Sequence, residues 1–135
     1  MTLNFNTKTL VYLFSSIVLC VIGICIARAD NTVIITNLID AIVESDNSSK
    51  DIILIFGSEY CGPCTRMKKD IVDNIGDFEN YIICLIDIDK EKNKEIKREY
   101  RVRSIPDYLI MRRREEIKRR KGYSNIHDFK QWLLE

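Results

Sequence analysis

Ile52-Ile53-Leu54-Ile55-Phe56 runs through a short polar loop, Gly57-Ser58-Glu59-Tyr60, into Cys61-Gly62-Pro63-Cys64. An apolar run bounded by polar breakers predicts a central strand over residues 51–56. Pro63 suits an early helical position, where its missing N–H would be unpaired in any case. Met67, Ile71 and Ile75 then recur every four residues, with Arg66, Lys68, Lys69 and Asp73 on the opposite side. The spacing predicts a helix from about Pro63 to Ile75 that Gly76 ends. Two thiols at a helix start can close a small disulfide ring. Unpaired N–H groups and a partial positive charge there favour a thiolate on the first cysteine. The thiolate is the reactive form in disulfide exchange, so the motif predicts redox chemistry at Cys61 and Cys64.

Half of a zinc site is the other reading of CxxC, and it needs about four ligands. Beyond residue 30 the remaining candidates are scattered: Cys84, and His127 as the single histidine of the chain. No metal is therefore expected. Cys84 lies within Tyr81-Ile82-Ile83-Cys84-Leu85-Ile86, an apolar strand-like run, and reads as an inert core thiol, with a resolving role as the alternative. His127 reads as a surface residue of the last helix.

The chain is long enough for one small domain of 135 residues, and its first thirty differ in kind from the rest. Lys8 precedes eighteen uncharged residues, Leu10 to Ala27, followed by Ala27-Arg28-Ala29. Charged n-region, apolar h-region and A-x-A site predict a signal peptide over residues 1–29; an uncleaved N-terminal membrane anchor is the alternative. Either places the domain of residues 30–135 outside the cytoplasm. Cys20 and Cys25 follow bulky residues and read as apolar members of that run. Removing Lys8 and Arg28 leaves 19 basic residues against 20 acids, which argues against nucleic acid as a partner. The basic stretch 112–121 is interrupted by Glu115 and Glu116 and reads as a solvated face.

Leu38, Ile39, Ile42 and Val43 predict a first helix from Thr36, broken at Asn47-Ser48-Ser49; Val33-Ile34-Ile35 is either an edge strand or the start of that helix. A second central strand is expected at 81–88, and a charged helix from Asp89 or Lys90 to about Tyr100. Asp107 to Met111 and Glu116 to Arg120 read as an antiparallel pair. Ser124 is expected to cap a final helix with Ile126, Phe129, Trp132 and Leu133 inward. The order (β)αβαβαββα reads as an α/β fold: a mostly parallel sheet, helices on both faces, and a terminal hairpin.

Strand–CGPC–helix, with Ile105-Pro106 forty-five residues past Cys61 and Gly122 on the next strand, resembles the thioredoxin superfamily over essentially all of residues 30–135. The phrase Tyr60-Cys61-Gly62-Pro63-Cys64 followed by Met67-Lys68-Lys69 resembles its extracytoplasmic members in particular. The resemblance implies a thioredoxin-like fold with a central mixed sheet flanked by helices, and a cis bond at Pro106 beside the dithiol. It implies no cofactor beyond the Cys61–Cys64 disulfide. It also implies a substrate surface of Tyr60, Gly62, Pro63, Ser104, Ile105, Pro106, Gly122 and Tyr123, on which an extended peptide pairs with Ile105 backbone groups. This chain departs from the family at Tyr60, where tryptophan is usual, at Ile55, where a buried aspartate takes a proton from the second thiol, and at Asp107, where threonine is common. Asp107 or Glu59 is a candidate for that proton transfer; the alternative for each is a solvated carboxylate.

The function expected from the resemblance is protein-disulfide reduction or interchange in the cell envelope, in the periplasm or its equivalent. The substrates would be protein thiols and disulfides, and a membrane partner would supply electrons. Gly62-Pro63 favours the reducing direction, since a histidine between the cysteines would stabilise the reduced thiolate further. An oxidase or isomerase of exported cysteines, a non-catalytic binding module and a metal carrier remain the alternatives.

Overall fold

The five apolar residues of Ile52–Phe56 are all buried because their strand lies in the middle of the sheet and packs on both faces. The computed structural model describes residues 32–135; the expected leader over 1–29 lies outside the described residues. The strands are β1 (Ile34–Ile35), β2 (Asp51–Gly57), β3 (Tyr81–Asp87), β4 (Asp107–Arg112) and β5 (Glu115–Lys121), and the helices are α1 (Leu38–Ser48), α2 (Gly62–Asp73), α3 (Lys94–Glu99) and α4 (Ile126–Leu134). Sheet order is β1-β3-β2-β4-β5. β3 pairs parallel with β1 and β2, whereas β4 pairs antiparallel with β2 and β5. The sheet is therefore mixed in equal parts, not mostly parallel: the β4–β5 hairpin forms one side of it.

Side-chain alternation along β2 creates two cores. Ile52, Leu54 and Phe56 pack with Leu38, Ala41, Ile82, Ile86, Leu109 and Met111. Ile53 and Ile55 face the other way, against Met67 and Ile71 of α2, Tyr108 and Ile110 of β4, and Phe129 and Trp132 of α4. The second core fixes α2, and so the cysteines at its start, against both the sheet and the last helix. Each such side chain contributes about 1.5–3 kcal/mol when fully buried.

Several element ends differ from expectation, each for a local reason. Within Val33-Ile34-Ile35, Ile34 and Ile35 form the edge strand β1, and Asn37 caps α1 by accepting the Ile39 N–H at 3.0 Å. The buried face of α1 is Leu38 and Ala41 with Ile42; Ile39 is 70% exposed and Val43 is exposed too, because the small Ala41 lets the helix approach the sheet closely. α2 ends at Asn74 instead of Gly76: the Asn74 side chain and backbone N–H both donate to Asp70 O, and a 3₁₀ turn follows over Ile75–Phe78. The charged helix of 89–100 is broken into a 3₁₀ turn, Glu91–Asn93, and α3. Buried Asn93 donates to Asp87 O at 2.7 Å and sets the break. Asn125, not Ser124, caps α4 by accepting the Asp128 N–H; the Ser124 hydroxyl donates to the Asp128 carboxylate.

Candidate active site

Cys61 is the N-cap of α2, with extended backbone, and its Sγ accepts the Cys64 N–H at 3.3 Å. Gly62 and Pro63 form the exposed first turn, and Pro63 sits where no N–H is required. The two Sγ atoms are bonded at 2.15 Å, with Cα atoms 5.2 Å apart. Cys61 is half-buried while Cys64 is buried, so the first sulfur is the accessible one. When the bond is reduced, the same N–H and the helix end stabilise negative charge on Cys61.

Residues not singled out in the sequence hold this pair in place. Cys64 rests on Gly57, where an added Cβ would lie 3.3 Å from Cys64 Cβ and 3.6 Å from its Sγ. A glycine closing an apolar strand just before CxxC was the available signal. Ser58 organises the loop: its hydroxyl donates to the Asp89 carboxylate, its Oγ accepts the Tyr60 N–H and its carbonyl accepts the Cys61 N–H. Tyr60 is 92% exposed and stands in solvent.

β2 and β4 bring the second half of the site alongside. Phe56 pairs with Asp107, which sets Pro106 across from Gly57 at the same end of the sheet. The Ile105–Pro106 bond is cis. Ser104 is exposed, Ile105 half-buried and Pro106 buried. Gly122 donates its N–H to Pro106 O at 2.8 Å and has φ +78°, a conformation that favours glycine. The space above it is open. Tyr123 is half-buried against Phe129 and donates its hydroxyl to Asp70 of α2 at 2.7 Å. Burial first, then the Asp70 contact, pushes its titration up. That hydroxyl joins the end of β5 to α2 and is committed inside the protein.

The two carboxylates considered for proton transfer occupy different settings. Asp107 is fully buried, not solvated, and both its oxygens accept from Arg119, Nε at 2.8 Å and Nη2 at 2.7 Å. The hydrogen bond to Asp107 is the main cause that raises the Arg119 titration. Glu59 is exposed and lines a cleft of about 390 Å³ together with Cys64, Ile55, Gly57 and Leu85. Ile55 and Leu85 are register partners, so the cleft wall behind Cys64 is apolar there.

Cys84 is free and buried in the core on the α1 side of the sheet, whereas α2 packs on the other core. Burial, then the Asp40 charge, pushes its thiol up to about 12. Among the described residues no three His, Cys, Asp or Glu side chains come together as a metal site.

Residues 33–135 match the family described as Thioredoxin. Thioredoxin C-3 of Corynebacterium nephridii is 29% identical over 87 residues, covering 64% of this chain and 59% of the relative. A thioredoxin of Pyropia yezoensis is 32% identical over 71 residues, covering 53% of this chain and 65% of the relative. The chain thus spans less than two thirds of the length of these curated relatives. Among solved structures, a wild-type poplar thioredoxin h superposes with a TM-score of 0.66 at 16% identity, over 77% of this chain and 95% of that one. A thioredoxin from Thermus thermophilus gives 0.66 at 20% identity, over 77% and 85%.

Proposed function

The chain belongs to the thioredoxin family, and on that premise we propose that it is a thiol–disulfide oxidoreductase that reduces or exchanges protein disulfides through Cys61 and Cys64. One observation carries the reading: the more accessible sulfur of the pair, on half-buried Cys61, caps a helix that donates an N–H to it, and its bonding partner is the buried Cys64.

In the proposed cycle the Cys61 thiolate attacks one sulfur of a substrate disulfide. That S–S bond breaks, the departing substrate sulfur takes a proton, and a mixed disulfide remains. Cys64 then loses its proton and attacks the Cys61 sulfur. The mixed disulfide breaks, the second substrate sulfur is protonated, and two electrons have passed to the substrate. The protein is left in the oxidised form seen here, and an external dithiol restores it. The substrate chain would lie over Gly62, Pro63, Ser104, Ile105, Pro106 and Gly122, with Tyr60 and Tyr123 at the margins, adding a strand to Ile105. Asp107 has no proton role in this scheme, since Arg119 engages both its oxygens. Glu59, on the cleft that reaches Cys64, is the carboxylate placed to exchange a proton through water.

The Gly62-Pro63 dipeptide supports the reducing direction. Lys8, the apolar run to Ala27 and Ala27-Arg28-Ala29 support an extracytoplasmic site of action, periplasmic or tethered, with a membrane protein as electron donor. Insulin reduction by the pre-reduced protein tests the activity. Cys61→Ser is expected to abolish it, and Cys64→Ser to accumulate mixed disulfides that also name the substrates. Turnover that survives Cys61→Ser would refute the assignment.

A further inference from the structure

We infer that the disulfide presented to Cys61 belongs to an acidic segment of its protein, recognised by Arg66, Arg103 and Lys121 around the Pro106–Gly122 groove. The inference rests on the oxidoreductase reading above and names its substrate class. Arg103 lies three residues before the cis proline, in the exposed turn that leads to Ser104 and Ile105. Lys121 pairs in register with Asp107 and immediately precedes Gly122, whose N–H is bonded to Pro106 O. Arg66 is one helical turn before Asp70, on the face of α2 that Tyr123 is tied to, and so one turn nearer the cysteines. Its charge acts on the Tyr123 hydroxyl.

All three cations are exposed, and none is paired with a carboxylate among the described residues. Lys69, Lys90, Lys94, Arg112, Arg114, Arg119 and Lys130 are paired, while Lys68, Lys92, Lys97, Arg98, Arg101 and Arg113 share the unpaired state, so it is their place beside Pro106 and Gly122 that sets these three apart. Two acids beside the groove are already occupied: Asp107 is buried under Arg119, and Asp70 accepts from Tyr123. Over residues 32–135 nineteen basic and nineteen acidic residues balance, so the excess at the groove is local and not a bulk property. Glu59 is exposed on the cleft that reaches Cys64, where Asp87, Lys68, Lys90 and Lys92 also line the wall, so that side carries both signs of charge. A docking peptide would set its carboxylates toward Arg103 and Lys121, beside Pro106 and Gly122. Complementary charge of this kind acts on encounter rate and selectivity more than on bond strength.

The test uses the pre-reduced full chain in single turnover against three peptides, each with the same disulfide ring and with acidic, neutral or basic flanks. The acidic peptide is expected to react about tenfold faster than the basic one at low salt, with the gap closing at high salt. The double variant Arg103→Glu/Lys121→Glu should invert the order, and Arg103→Ser/Lys121→Ser should bring the ratio near one. If the neutral peptide is reduced but flank charge changes the rate less than about twofold at low salt, this inference is overturned and the oxidoreductase reading stands. An order that survives charge reversal likewise overturns the inference and leaves the oxidoreductase reading intact. If no peptide is reduced, both fall.

Discussion

Replacing Arg119 with methionine removes the groups that, among the described residues, hydrogen-bond the Asp107 carboxylate, while keeping most of the apolar stem. The carboxylate side chain is 0% exposed and the guanidinium side chain 20%. A buried pair broken from one side typically costs about 3–5 kcal/mol, because an uncompensated charge stays inside. Arg119 is the partly exposed member, so some water reaches the gap it leaves, and the lower end of that range, about 3 kcal/mol, is expected. For a domain of this size such a loss lowers Tm by roughly 12–24 °C. The protein carries its own control. Arg112 and Asp51 make a similar two-pronged contact, Nε–Oδ1 at 3.0 Å and Nη2–Oδ2 at 2.7 Å, but with side chains 60% and 19% exposed. Arg112→Met should therefore cost clearly less than Arg119→Met, because water screens the exposed pair. Urea unfolding of the oxidised protein at neutral pH measures both, and Asp107→Asn with its double variant measures the coupling. An equal cost for Arg119→Met and Arg112→Met would refute burial as the reason the Asp107 pair matters.

The Cys84 thiol, pushed up to about 12 by burial, holds its proton in the folded chain over a pH range where the unfolded chain has lost it. Its contribution is therefore complete below the ordinary thiol value, about 8.5, and declines as pH rises toward 12, by about 1.4 kcal/mol per unit. Cys84→Ala should flatten the alkaline stability profile relative to wild type between pH 9 and pH 10 by about that slope; parallel profiles would count against it. Arg113 and Arg114 form the two-residue turn of the β4–β5 hairpin with φ of 50° and 69°, a conformation that suits Asn-Gly. Arg113→Asn/Arg114→Gly should stabilise by about 1 kcal/mol after loss of the exposed Arg114–Asp46 pair, read as a higher urea midpoint. Gly57→Ala should cost about 1–3 kcal/mol and displace Cys64, because the new methyl meets Cys64 Cβ. Thermal unfolding together with the thiol–disulfide equilibrium against glutathione would detect both effects.

Local chemistry was legible where one segment contains its own cause. The buried strand, the cysteine pair and the early helical proline lie within fourteen residues, and the final antiparallel pair follows from alternation and length. What escaped depends on register or on surfaces far apart in sequence. The hairpin register sets Lys121 directly across from Asp107, yet Arg119, two residues before it on the same face of β5, reaches diagonally to the carboxylate, a contact that strand patterning alone does not show. Ser58 and Asp89 meet because β2 and β3 end side by side. Ile39 and Val43 read as core by hydrophobicity, yet the small Ala41 marks the face that packs. Asn74 and Asn125 took over helix ends assigned to Gly76 and Ser124, since side chains able to bond backbone groups sat one or two residues away.

The core beneath α2 is completed by Tyr108, Phe129 and Trp132, all made long after the cysteines. At about 5–20 residues per second, a growing chain carries Cys61 and Cys64 for roughly 3–13 s before Phe129 is added. A twelve-residue helix is marginal on its own, so the nascent pair lacks the dipole and backing that set its reactivity. Redox competence is thus delivered late, by α4, and a chain stalled before it carries the cysteine pair without its backing.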